Sequence, residues 1–206
     1  MVNITHRGEN VLKTNLILEA AQKRFGMYGL EKTTMHEIAQ DAGLSKASLY
    51  YYFPDKLQLF HAVIEKEQQE FLTFLSRTFD HITEPEDKLR EYLVIRNNYF
   101  KTFLNLSKIR ISGFKEFKPV LPDLYRQLRE TESSLISSIL EEGQEKNLFM
   151  IKELAETADL FLDILQSIRW TILKNKDMAY MDGEDFALLE KRSEIFIDIF
   201  LKGISK

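Results

Sequence analysis

The chain has no cysteine. That excludes disulfides and thiolate metal ligation, and it accords with a reducing compartment. Proline and glycine are scarce, four and eight among 206 residues, which argues against Pro/Gly-rich linkers and turn-rich β architectures. No segment approaches the roughly 20 apolar residues of a membrane span. The opening MVNITHRGENVLKTN has no apolar run of the signal-peptide kind, so a cytoplasmic protein without membrane contact is expected. An overall excess of positive charge is also missing, since the formal net charge is −4.

Catalytic signatures are absent too. The four histidines, at 6, 36, 61 and 81, show no metal-ligand spacing. There is no phosphate-binding loop, dinucleotide fingerprint or GxSxG elbow. The neighbouring carboxylates Glu141 and Glu142, and Asp182, Glu184 and Asp185, read as solvated helix ends. The sequence predicts a non-enzyme that needs no cofactor and no metal.

What is present is ordinary soluble composition, 44% hydrophobic and 29% charged, enough to bury a core. The charge is unevenly spread. Residues 1–56 hold seven Lys/Arg against six Asp/Glu, and the remainder holds 21 against 26. The N-terminal part can therefore carry a local basic face while the acidic remainder keeps the molecule soluble.

The apolar spacing is helical almost throughout and no alternating pattern suggests a sheet. An all-α chain of about nine helices is predicted. The first covers about 12–28, with Leu16, Ile17, Ala20, Ala21 and Phe25 on one face and Gly29 as its C-cap. Thr34 and Glu37 form a capping box for a second helix that ends at Gly43. Ser45 caps a third, 46–52, which the residue before Pro54 must leave. Asp55 caps a fourth, 56–79; long helices follow over 84–104, 123–146, 152–176 and 184–204, with a shorter one over about 106–116. Short helices around a tight glycine turn have the grammar of a helix-turn-helix.

Residues 17–60, ILEAAQKRFGMYGLEKTTMHEIAQDAGLSKASLYYYFPDKLQLF, resemble the DNA-binding domain of the TetR family of transcriptional regulators. The likeness runs through Ile17, Leu18, Ala20, Ala21, Phe25, Gly29, Thr33, Thr34, Ile38, Ala39, Ala42, Gly43, Leu44 and Ser45. It continues through Leu49, Tyr50, Phe53, Lys56, Leu59 and Phe60. At Tyr52 the family often has His. The resemblance implies a DNA-binding domain over 1–60 and an effector-binding and dimerisation domain over 61–206. It also implies a homodimer on palindromic double-stranded DNA, usually a repressor released by a small effector.

The third helix supports this separately. At 100° per residue, with Leu49 at zero, Phe53 falls at about 40° and Tyr52 at about −60°. Ala47, Ser48 and Tyr51 lie opposite, and Tyr50 flanks them. Small residues let a helix backbone sink into a major groove, and tyrosine hydroxyls at its edges reach phosphates. Lys46 comes early, where a recognition helix meets base edges, and can donate to guanine. Lys56 adds charge to the N-terminus of the fourth helix, already suited to a phosphate. Thr34 serves as a cap and as a candidate phosphate or base contact. Tyr52 is read as touching a base, a phosphate or only its neighbours. Arg7 is read as a minor-groove arm or as part of a disordered end.

The last two helices are apolar on more than one stripe. Phe161, Leu165, Ile168 and Ile172, with Phe196 and Phe200, are assigned to a dimer interface, while Leu160, Ile164, Leu173, Leu188, Ile195 and Ile199 add a second face. A helix packing in its own domain needs one face, so the second invites a partner chain; burial of both in one subunit is the alternative. The aromatic middle helices suggest a pocket for an apolar or aromatic effector, lined by Arg96, Tyr99, Phe100, Phe103, Phe114, Phe117 and Trp170. The reading is thus a ligand-responsive DNA-binding regulator. Its rivals are a regulator without an effector, an activator, or an all-α protein-interaction module.

Overall fold

The computed structural model describes residues 2–102, 121–173 and 181–206. Phe103, Phe114, Phe117 and the helix expected over 106–116 lie outside the described residues, as do the side chains of Arg7 and Phe100. Eight helices are described. They are α1 (Val2–Tyr28), α2 (Met35–Asp41), α3 (Lys46–Tyr52), α4 (Lys56–Phe79), α5 (Pro85–Thr102), α6 (Leu121–Glu145), α7 (Leu154–Leu173) and α8 (Gly183–Ile204). Among the described residues there is no strand, only one isolated antiparallel bridge between Phe149 and Ser205. None of these helices is long and apolar enough to cross a membrane.

Two compact units divide the chain within α4, one running to Gln69 and the other built from Glu70–Thr102 and Tyr125–Lys206. In the first, α1 begins about ten residues before its apolar stripe, because nothing in that polar stretch breaks a helix. Gly29 stops it at φ +79°, a left-handed backbone favourable only to glycine, with its N–H bonded to the Phe25 carbonyl at 2.9 Å. Ile17, Ala21, Phe25, Ile38, Leu49, Leu59, Phe60, Val63 and Ile64 form the core of this unit. Phe25 meets Phe60 edge to face at 5.5 Å. Burying side chains of this size stabilises by roughly 1.5–3 kcal/mol each. α2 and α3 are too short to stand alone, so this core holds them in place.

In the second unit, Pro85 opens α5 where a missing N–H costs nothing, and Glu86 and Asp87 follow in the positive first turn. α6 ends in a tight turn with Asn147 at φ +56°. A Cβ on Gly143 would lie 2.0 Å from the Phe149 ring, so this position has no room for a side chain. Phe149 is buried there. The Met150 N–H donates to the Ile204 carbonyl at 2.7 Å and so ties the turn to the end of α8. Asp182 and Asp185 make the capping box that starts α8.

Candidate nucleic-acid interface

α2 is hydrogen-bonded at both of its ends. At its start Thr34 and Glu37 cap α2 reciprocally: the Glu37 N–H donates to the Thr34 hydroxyl at 3.3 Å, and the Thr34 N–H donates to the Glu37 carboxylate at 2.8 Å. The Thr34 hydroxyl also donates to that carboxylate at 2.8 Å. These two bonds from Thr34 hold the Glu37 carboxyl below the usual range. At the end of α2, the Gly43 N–H bonds the Gln40 carbonyl at 3.0 Å and the Leu44 N–H bonds the Ala39 carbonyl at 2.8 Å. This paired closure is the Schellman arrangement, and its left-handed residue is Gly43 at φ +67°. The Ser48 N–H then donates to the Ser45 hydroxyl at 3.1 Å, opening α3. Arg24 braces α2 from α1, with Nε 2.5 Å from Asp41 and Nη1 3.2 Å from Glu37.

α3 presents two faces, as its spacing predicts. Leu49 is fully buried, and Phe53 packs partly against the same core. Lys46, Ala47, Tyr50 and Tyr51 are exposed, Tyr51 at 78%, and Ser48 is half-buried. The Lys46 ammonium stands 5.8 Å above the Tyr50 ring, near enough for a cation–π contact. Tyr52 differs from its two neighbours. It packs against the domain core, and its hydroxyl donates to the Asn10 side chain of α1 at 3.0 Å. Tyr51 meets its ring edge-on at 5.3 Å. Asn10 went unnoticed in the sequence because it lies ahead of the apolar stripe on which α1 was recognised.

Lys56 does more than offer a charge. Its ammonium donates to the carbonyls of Leu30 at 2.8 Å and Thr33 at 3.1 Å. Two of its three hydrogens thus fasten the start of α4 to the loop before α2. Thr34, which follows Thr33 in sequence, is exposed, with its hydroxyl committed to the capping box.

In the second unit, Arg96 and Tyr99 are buried. Arg96 Nε donates to Glu132 at 3.1 Å, and the buried Tyr92 hydroxyl donates to the same oxygen at 2.5 Å. Burial opposes the Arg96 charge, yet Glu132 outweighs it and holds the guanidinium protonated. Burial, with Glu132 beside it, pushes the Tyr92 hydroxyl well above its ordinary range. Glu132 had a legible signal: it lies on the same stripe as Leu128, Ile136 and Leu140, and a charge on an apolar stripe calls for a buried partner. The Tyr99 ring packs against Phe71 at 4.4 Å.

The two apolar stripes of α7 and α8 separate only in part, since Leu173 of the second face is buried and Ile164 half-buried. Phe161 and Leu165 are buried within their own subunit, and Phe161 packs on Phe196 at 5.4 Å and Phe200 at 4.9 Å. Ile168, Ile172, Phe196 and Phe200 are half-buried. The stripe assigned to a partner from sequence is therefore largely turned inward, because two aromatics on α8 supply its packing surface. Leu160, Leu188, Ile195 and Ile199 are the exposed apolar side chains, and Trp170 is 67% exposed on α7.

Comparison with known proteins places this geometry in context. The family model described as "Bacterial regulatory proteins, tetR family" matches residues 17–63. A crystal structure of a transcriptional regulator from Cytophaga hutchinsonii ATCC 33406 is similar at 38% identity and TM-score 0.85, covering 93% of this chain and 98% of that one. The HTH-type transcriptional regulator RutR of Escherichia coli K12 is 28% identical over 136 residues, 64% of either chain, so the match spans less than two thirds of that relative. The HTH-type transcriptional repressor BepR of Brucella suis biovar 1 is 27% identical over 150 residues, 69% of this chain and 71% of that one.

Proposed function

The chain belongs to the TetR family of bacterial regulatory proteins, and from that premise we propose that it is a homodimeric, DNA-binding transcriptional repressor released from a palindromic operator by a small effector. The observation that carries this reading is the outward face of α3. Ala47 and Ser48 leave the backbone free to approach a groove floor, exposed Tyr50 and Tyr51 flank them, and Lys46 stands at the first turn. In a major groove, small residues admit the helix, the hydroxyls meet phosphates and the ammonium reaches a guanine edge. The hydrogen-bonded Gly43 turn would hold α3 at a defined angle to α2 without help from the DNA.

A single seven-residue helix reads only a few base pairs, so specificity at genomic scale calls for two copies. Twofold symmetry then places two α3 helices in successive major grooves, roughly 34–36 Å apart, on an inverted-repeat operator. The exposed stripes of α7 and α8, with Leu160, Leu188, Ile195 and Ile199, supply the surface for that pairing. An effector lodged among the aromatic side chains of the second unit would favour a spacing that no longer fits the operator. Reversing the population from 1:99 to 99:1 takes differential affinity on the order of 10⁴, or about 5.5 kcal/mol.

The test is selection of bound duplexes from a random library, followed by anisotropy titration over a range of salt. An inverted repeat bound with a steep salt dependence supports the proposal. Failure to enrich any duplex sinks it and favours a protein-interaction module. Binding that persists across a broad metabolite screen favours a regulator without an effector.

A further inference from the structure

A cavity of about 410 Å³ lies between α5 and α8 in the second unit, within the size range of small-molecule sites. Leu93, Val94 and Ile197 give it apolar walls. Asn97, itself buried, lines it from α5 and Ser193 from α8. The Ser193 hydroxyl is the unusual feature. Its residue is 2% exposed, and the oxygen has no hydrogen-bond partner. A helical serine ordinarily bonds back to the carbonyl one turn earlier. An unsatisfied buried hydroxyl facing a cavity destabilises the folded state until a ligand satisfies it.

The charges around the opening decide the sign of that ligand. Arg90 lines the cavity, but its guanidinium is already held by Asp198 at 2.8 Å and Glu86 at 3.2 Å. Glu190 and Glu194, one turn apart on α8, also line it, and among the described residues neither has a cationic partner. Two carboxylates thus line the cavity beside one guanidinium already paired with Asp198 and Glu86, and two like charges at i and i+4 raise the local energy until a cation arrives.

We infer that this cavity is a binding site for a small organic ammonium compound with an apolar body. The ammonium is held by Glu190 and Glu194, its N–H groups or a neighbouring hydroxyl meet Ser193 and Asn97, and its hydrocarbon part covers Leu93, Val94 and Ile197. The site stands on its own geometry and not on the DNA-binding reading, so either can fail without the other.

Isothermal titration of the intact protein with cyclohexylammonium, cyclohexanol and cyclohexanecarboxylate compares one ring carrying three head groups. The ammonium should bind most tightly and the carboxylate least. Replacing Glu190→Gln and Glu194→Gln together should weaken the ammonium about tenfold, the combined effect of two partly exposed charge pairs. Ser193→Ala should weaken it roughly fivefold. Because it breaks no existing bond, that variant should melt no lower than the parent, which separates a ligand contact from a structural role. Equal or tighter carboxylate binding overturns the inference, as does undetectable ammonium binding or binding unchanged in both variants.

Discussion

Lys56 donates from its ammonium to the Leu30 carbonyl at 2.8 Å, and so one lysine ties the first turn of α4 to the loop that leads into α2. A buried carbonyl satisfied by an ammonium is costly to orphan, because the water that would replace the ammonium must enter a packed loop. Lys56→Ala should therefore destabilise the protein by about 1–3 kcal/mol in urea melts. In binding assays it should also flatten the log–log salt slope by about one, through loss of a phosphate contact from the third hydrogen. Lys56→Arg should restore the slope better than the stability, since a planar fork does not fit two carbonyls already spaced for an ammonium. A slope unchanged in Lys56→Ala would leave the residue a purely structural anchor.

Tyr51 and Tyr52 are neighbours on one helix with opposite commitments. The Tyr52 hydroxyl is used by Asn10, whereas Tyr51 is exposed. Tyr52→Phe should cost about 0.5–1.5 kcal/mol of stability and leave DNA affinity nearly unchanged. Tyr51→Phe should do the reverse, lowering affinity for specific and non-specific duplexes alike. Anisotropy and thermal melts on the two variants check both halves, and matching effects would mean that the faces are wrongly divided.

Lys46 should behave differently from either tyrosine. With the base contact proposed for it at the first turn of α3, Lys46→Ala should change which operator sequences are preferred, by about 1–3 kcal/mol at one position of each half-site. A uniform loss across all duplexes in a repeat selection would make it a phosphate contact instead.

The reading unit was legible because each of its elements is written locally. Thr34 with Glu37, Gly43, Ser45, and Pro54 mark starts and stops within a few residues, and the structure uses them in those roles. Partners distant in sequence left weaker traces. Nothing near Asn10 announces that it meets Tyr52, 42 positions away. The Arg96–Glu132 pair, 36 positions apart, was visible only as charges on apolar stripes. For α7 and α8, amphipathicity showed that two apolar faces exist. Which one turns inward depends on Phe196 and Phe200 packing on Phe161, and periodicity does not encode that choice.

Tyr92 should give the protein a distinctive alkaline limb. Burial, and then Glu132, raise the folded-state pKa of its hydroxyl well above the ordinary value, which is about 10. The unfolded chain therefore loses this proton first as pH rises. The contribution to stability is fully present below about pH 10 and is lost as pH climbs through the folded-state value. Tyr92→Phe should flatten the fall in stability above pH 10, while lowering stability at pH 7 by about 1.5–3 kcal/mol through the lost bond to Glu132. Urea midpoints at pH 7, 9 and 10.5 test both effects, and parallel curves for the two proteins would remove Tyr92 from the alkaline transition.

The exposed stripe makes the strongest demand on assembly. Ile195 and Ile199 lie one turn apart on α8 and stay largely exposed in a single subunit, while Phe161 on α7 is fully buried. In a twofold interface each substitution is felt twice, once from each copy. Ile195→Glu with Ile199→Glu should therefore place four carboxylates against apolar surface and yield a folded monomer with native helix content. Phe161→Ala should act otherwise. It empties a packed aromatic cluster, costs about 3–5 kcal/mol of subunit stability, and perturbs association only through that loss. Sedimentation velocity with circular dichroism separates the cases. A dimer that survives the Ile195/Ile199 double variant would return the interface to the inward stripe or to another surface. The monomer should also bind an operator half-site far more weakly than the dimer binds the full inverted repeat, since it forfeits the second α3 and its phosphate contacts.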